Sequence, residues 1–117
     1  MHTMCESEHY VVLSEFESVF LYIKDKTKRI LIGYFYSDPE IARISPDERF
    51  CIMGGEGIIV YYLDEPFAEY SGLPSEQWME WGRDDPENIM WVESIRILDA
   101  THVEIVTEDR QKLILGV

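Results

Sequence analysis

The sequence predicts a mainly β (or α+β) fold, an antiparallel curved sheet or small open barrel of about seven or eight strands with one or two short helices. Three observations lead there. Apolar runs are short and rich in β-branched and aromatic residues, as in Val19-Phe20-Leu21-Tyr22-Ile23. Turn-forming residues recur roughly every ten positions. Near the C-terminus Val103, Ile105, Leu113 and Leu115 alternate with other residues at the two-residue period of a sheet with one buried face. A length of 117 residues leaves room for one core of ordinary size. Residues 9–117 are therefore expected to form a single β-rich domain behind a polar, frayed segment 1–8.

The strands begin with Tyr10-Val11-Val12-Leu13 and Val19 to Ile23. Lys24 to Arg29 is a polar, mostly basic turn, and Ile30 to Tyr36 is the returning strand. Asp38-Pro39-Glu40 predicts a short helix, with Asp38 as N-cap, Pro39 at the first helical position, and Ile41 and Ile44 facing the core. Ser45-Pro46-Asp47-Glu48 is a turn, because proline presets one dihedral and aspartate caps locally. Phe50 to Met53 and Ile58 to Leu63 flank Gly54-Gly55-Glu56-Gly57, a hairpin whose three glycines are expected to supply positive φ angles. Asp64 to Gly72 reads as an irregular loop. Pro74-Ser75 then opens a short helix, capped by Ser75 and ended by Gly82. Such a helix puts Trp78 and Trp81 on one face and Glu76 and Glu80 on a neighbouring stripe. After a polar loop from Arg83 to Asn88, a meander of strands runs over Ile89 to Leu98, His102 to Thr107 and Lys112 to Val117.

Charge excludes several function classes. Twenty-three acids against ten bases give a formal net charge of −13. That surface repels phosphate, so direct nucleic-acid binding is not expected, nor is binding to anionic membranes. It favours fast, salt-sensitive capture of basic partners. The two cysteines, Cys5 and Cys51, suit a reducing compartment. Met1 to Glu6 lacks the basic head and apolar run of a signal peptide, and no stretch approaches the roughly 20 apolar residues of a membrane span, so a cytoplasmic location is expected.

The acid is concentrated. Between Asp64 and Glu93 nine carboxylates stand against one base, Arg83, a local charge of −8. The same stretch holds Trp78, Trp81 and Trp91 together with Phe67 and Tyr70. Large aromatics ringed by carboxylates are the composition of a surface that holds a cationic protein. The candidate partner-binding set is Asp64, Glu65, Glu69, Tyr70, Glu76, Trp78, Glu80, Trp81, Asp84, Asp85 and Glu87. The expected mechanism is steering by the 64–87 carboxylates, followed by desolvation around Trp78, Trp81 and Tyr70. Trp91, within a strand, reads as core. Trp78 and Trp81 either plug one end of the sheet or touch the partner.

Catalytic and ligand motifs are missing. His9 and His102 are isolated, and no Cys or His pair has zinc spacing. Gly54-Gly55-Glu56-Gly57 lacks the Lys-Ser/Thr ending of a phosphate loop. Asp84-Asp85-Pro86-Glu87 does not match a calcium loop and reads as a solvated turn. The serines lie in no nucleophile-elbow pattern. No enzymatic activity, cofactor or metal is expected.

Two resemblances follow from these residues. Ser45 to Phe50 with Gly54 to Tyr61 resembles the inner hairpin of a WD-repeat propeller blade, but the Trp-Asp pair, the Gly-His pair and any ~40-residue period are absent, which leaves only shared hairpin physics. The second resemblance covers the whole chain. Its size, its acidity, its lack of a catalytic motif, and the blocks Glu65-Pro66-Phe67-Ala68-Glu69-Tyr70 and Gln77-Trp78-Met79-Glu80-Trp81-Gly82 resemble the small acidic immunity proteins of bacterial polymorphic toxin and contact-dependent growth-inhibition systems. The resemblance implies cytoplasmic binding of a cognate basic toxin domain and occlusion of its active site. Nucleases are common among such toxins, and carboxylates would then stand in for phosphate. Two other readings stay open: a small-ligand or carbohydrate-binding β-domain with Trp78 and Trp81 as a stacking platform, or an adaptor whose acid serves solubility.

Overall fold

The computed structural model describes every residue except Asp84 and Pro86. Eleven strands form three antiparallel sheets, and the single helical element among the described residues is a 3-10 turn at Lys24–Lys26. The first sheet has the order β1 (His2–Glu6), β2 (Tyr10–Glu15), β3 (Ser18–Ile23), β4 (Lys28–Tyr34). The central sheet runs β5 (Ile41–Ile44), β6 (Phe50–Gly55), β7 (Gly57–Tyr62), β8 (Trp78–Trp81). The third is β11 (Lys112–Gly116), β10 (His102–Thr107), β9 (Val92–Ile97). The mainly β, antiparallel and open expectation holds, with the single curved sheet or open barrel of seven or eight strands replaced by three layered sheets and eleven strands. No helix among the described residues is long and apolar enough to cross a membrane.

The layering follows from strands β6 and β7, in which every residue from Phe50 to Tyr61 is buried. Successive side chains on a strand point to opposite faces. Cys51, Met53, Ile59 and Tyr61 join a core with Val12, Val19, Leu21 and Ile32 of the first sheet. Phe50, Ile52, Ile58 and Val60 join a second core with Val92, Ile95, Val103 and Ile105 of the third. Runs that are apolar on both faces belong to a sheet covered on both sides. The central hairpin is the middle of that three-layer stack. Both cysteines are free, with Cys51 fully buried and its thiol pushed well above the ordinary range by desolvation.

Three local expectations are corrected. Segment 1–8 is not frayed: His2–Glu6 pairs with β2, broken by a bulge between Thr3 and Cys5. Asp38 to Glu40 is not helical, because the Glu40 N–H donates to the Gly54 carbonyl at 2.9 Å and draws this segment toward the central sheet. Ile41 and Ile44 consequently lie on opposite faces of β5, one against each core. The third correction concerns Trp78–Trp81, a strand that pairs with Ile58–Tyr61. Ser75 does not cap a helix there; its Oγ accepts the Gln77 N–H two residues on, at 3.0 Å.

Of the three glycines at the central hairpin only Gly57 has a positive φ, +72°. Gly55 pairs with Gly57 and leaves Glu56 alone at the tip. A Cβ on Gly57 would fall 2.7 Å from the Trp81 carbonyl oxygen and 2.8 Å from that of Gly82. Gly54 serves a different purpose: its bare Cα admits Val92, whose Cγ1 would lie 2.9 Å from an added Cβ. Gly57→Ala is therefore expected to cost about 2 kcal/mol or more, from left-handed strain plus backbone collision. Gly55→Ala, with 3.4 Å of clearance, should cost under about 1 kcal/mol. Urea denaturation of the two variants checks this, and equal losses would contradict it.

Candidate functional site

The acidic segment leaves the C-terminal end of β7 and returns as β8, which pairs with it. Tyr61 donates its hydroxyl hydrogen to the Ala68 carbonyl at 2.6 Å, and the Trp78 indole N–H donates to the Leu73 carbonyl at 3.1 Å. The Tyr70 N–H donates to Leu31 of β4 at 2.9 Å. The Gln77 amide bridges Tyr62 and Asp64 through their carbonyls, at 2.6 and 3.0 Å. Loop 64–77 is thus braced at four points by side chains and backbone of the first and central sheets. Apolar contacts add to this. Trp78 stacks on Tyr61 with ring centroids 6.4 Å apart and meets the Tyr70 ring at 5.2 Å, while Phe67 sits edge-on to Tyr10 at 6.1 Å.

Because 78–81 is a strand, Trp78 and Trp81 point to opposite faces rather than sharing one. Trp78 is buried in the first core and Trp81 is half-buried against the second. Trp91, expected inside, lies before β9 and is 39% exposed, joined to Glu56 only by an isolated bridge. The indoles therefore do not form one exposed platform. Asp64, Glu65, Glu69, Glu76, Asp85 and Glu87 are all exposed. Glu65 pairs with Lys26 at 2.7 Å, and Asp85 accepts hydrogen bonds from Asn88 and from the Glu87 N–H, which hold its carboxyl below the usual range. Asp84 lies outside the described residues.

Glu80 and Tyr70 are brought together. The Tyr70 hydroxyl donates to Glu80 Oε1 at 2.6 Å, and Arg83 Nε meets the same oxygen at 3.1 Å. Burial, followed by the Glu80 hydrogen bond, pushes the phenol of Tyr70 well above its ordinary pKa. Arg83, the one base of the acidic segment, is the hub of this cluster. It also donates to the carbonyls of Tyr34 (2.7 Å) and Glu56 (3.3 Å), and its guanidinium lies 4.6 Å above the Phe35 ring. Above the cluster opens a groove of about 420 Å³, lined by Tyr34, Tyr36, Tyr70, Ser71, Glu80 and Arg83. Tyr34 and Tyr36 were not anticipated, since a strand end carries no local signal for exposure. Glu56 is buried at the hairpin tip, and its carboxylate accepts the Tyr36 N–H.

A second cluster joins the turn before β2 to the turn before β6. Ser7 Oγ, the His9 N–H (3.0 Å) and the His9 ring (2.6 Å) all reach the Glu48 carboxylate, and Glu48 itself has φ +56°. Desolvation opposes its ionisation, but these hydrogen bonds prevail and hold Glu48 at about 2. The hydrogen bond to Glu48 in turn raises the pKa of His9. Glu8 brings a third ligand-capable atom within 4.8 Å, so a divalent cation would fit only by displacing these bonds.

Compared with models of protein families, with curated proteins and with solved structures, the chain matches none.

Two outcomes follow. His9 has a raised folded pKa, so its contribution is complete below its ordinary 6.5 and fades as pH rises through the folded value. Glu48 has a depressed one, so its contribution is complete above 4.5 and fades as pH falls toward about 2. The Tm difference between the native chain and His9→Gln should therefore be largest between about pH 4.5 and 6.5 and shrink as pH rises above that window; a pH-independent difference in melting scans would contradict the pairing. Trp78→Ala should cost about 3–5 kcal/mol, and Trp78→Phe, keeping a ring but not the Leu73 bond, markedly less. Hydrogen exchange should accelerate across 64–73 in both.

Proposed function

We propose that this chain is an immunity-type binding protein that neutralises a cognate basic toxin domain by covering its active site. The observation that carries the reading is the placement of Asp64, Glu65, Glu69 and Glu76. They are exposed on a loop braced by Tyr61, Tyr70 and Trp78, and among the described residues Glu65 alone of the four makes an ion pair. A braced loop keeps several charges at defined positions, so docking a cationic surface costs less conformational entropy than ordering a free tail. Steering by these carboxylates raises the encounter rate, and desolvation occurs at Tyr70 and the neighbouring tyrosines rather than at the indoles. The partner is a basic protein, a nuclease being one form whose phosphate-binding site carboxylates can occupy. No enzymatic step is assigned to the chain.

A second reading has one supporting observation. The groove between Tyr34, Tyr36 and Tyr70 offers rings beside a carboxylate and a guanidinium, a lining that suits a small polar ligand or sugar. Its stacking platform would be tyrosine and not Trp78 with Trp81.

Changing Asp64 to Asn and Glu65, Glu69 and Glu76 to Gln together should leave the melting curve within about 1 kcal/mol of the native chain, because these groups are exposed. It should abolish capture of a basic partner in pull-downs from the native strain, a capture that in the native chain should weaken as salt rises. If capture and cell protection survive unchanged, the acid serves solubility and the adaptor reading stands. Tyr36→Ala with intact carboxylates separates the small-ligand reading, which alone predicts loss of a low-molecular-mass ligand.

A further inference from the structure

An antiparallel sheet with one solvated face alternates apolar residues inward with polar residues outward. The first sheet breaks this rule. Val12, Val19, Leu21, Ile30 and Ile32 point into the core, as expected. The alternate residues Val11, Leu13, Phe20, Tyr22 and Leu31 are also apolar or aromatic, are half-buried, and belong to neither core. The register lines them up across three strands, with Leu13, Phe20 and Leu31 in one row and Val11, Tyr22 and Arg29 in another. At the far end Glu15, Ser18 and Tyr34 form a third row. Phe16, 82% exposed, occupies the adjoining hairpin turn with φ +54°, a conformation that favours glycine or asparagine. A contiguous apolar face of this kind, rimmed by charge, marks an interaction surface.

The charges at its two ends decide the occupant. Arg29 stands at one end, where Glu6 of the same row is already paired with Lys24, and Glu15 and Glu17 stand at the other; none of Arg29, Glu15 and Glu17 makes an ion pair among the described residues. The Leu13–Phe20–Leu31 row is midway, two residues from the Arg29 row and two from the Glu15 row. We propose that this face binds a second copy of the chain, through a two-fold axis that lies in the interface and crosses the strands at Phe20. That operation lays each basic end over the other copy's acidic end, which is the self-complementarity an isologous interface requires. It brings the two Phe20 rings together at the axis and each Arg29 toward Tyr34 and Glu17 of the second copy. Arg29 already rests its guanidinium 4.6 Å above its own Phe20, so the face accommodates a cation on an aromatic ring. An axis parallel to the strands would instead set like charges against each other.

Repulsion between two bodies of charge −13 works against pairing, but with a Debye length of about 8 Å at 0.15 M salt only charges near the interface are felt. Three strands about 4.8 Å apart and five residues of about 3.4 Å rise give a small footprint, the size of weak, transient contacts, so a dimer that forms only at micromolar concentration or above is expected. Sedimentation velocity from about 1 to 500 µM at 0.15 M salt should show a concentration-dependent dimer. Phe20→Glu should leave a monomer. Glu17→Arg and Arg29→Glu should each raise the dimer Kd about tenfold, and the two together should return it to within about threefold of the native value. If Phe20→Glu loses its cooperative melt, the exposed charge variants decide alone. A monomer throughout the range, whatever else then occupies the face, overturns the proposal, as does a dimer that the charge variants leave unchanged or that the double variant fails to restore.

Discussion

Burial of the β6–β7 hairpin on both faces is the constraint from which the rest of the structure follows. Once Phe50–Gly55 and Gly57–Tyr61 are apolar on both sides, a single sheet over them is insufficient, and two flanking sheets must cover them. The hairpin then needs neighbours at its own edges, since buried backbone N–H and C=O groups left unpaired are costly. Ile41–Ile44 takes one edge and Trp78–Trp81 the other. Gly54 and Gly57 set how closely Val92 and the Trp81–Gly82 backbone can approach. The hairpin thereby positions both the third sheet and the start of the acidic loop region.

The distribution of acid is a consequence of this layering. With both faces of the central sheet dry, carboxylates have only loops, edges and turns on which to stay hydrated, because burying an unpaired charge is prohibitive. Most of the acidic segment accordingly lies on the connections before and after β8. Three carboxylates drawn inward have partners. Glu80 has Arg83 and Tyr70, Glu48 has Ser7 and His9, and Glu56 accepts the Tyr36 N–H. Arg83 has a similar status among the bases. It is a cation inside an acidic region, yet its charge is spent on holding β4, the hairpin tip and β8 together. Local net charge thus overstates what an incoming partner would meet at Glu80 and understates it along 64–76.

The aromatic residues divide between the two surfaces proposed for binding and the core. Trp78 does its work inside, stacked on Tyr61, tilted against Tyr70 and hydrogen-bonded to Leu73, which is how it shapes the acidic loop. The rings that remain outside belong largely to the first sheet and its ends: Phe16, Tyr34 and Tyr36. Their exposure has no counterpart in hydrophobic content, since an indole counts as more interface-prone than a tyrosine on composition alone.

What the sequence determined by itself was the local and the periodic. The alternation in Val103, Ile105, Leu113 and Leu115, the β-branched runs and the hairpin around Glu56 specify antiparallel strands, because side-chain period and turn dihedrals are properties of neighbours in the chain. The unbroken apolar run from Ile58 to Leu63 also carried the sign of a two-faced strand, although it fits a one-faced hairpin equally well. Only the tertiary structure decided that His2–Glu6 pairs, that Asp38 to Glu40 joins a sheet, and that Trp78–Trp81 is a strand despite Ser75 and Gly82 offering helix ends. The physical reason is the same in each case. A helix cap is worth about 1 kcal/mol, whereas completing an open sheet edge satisfies several backbone groups and buries Trp78 at once. Such a gain depends on β7, which lies some twenty positions back in the chain and becomes adjacent only on folding.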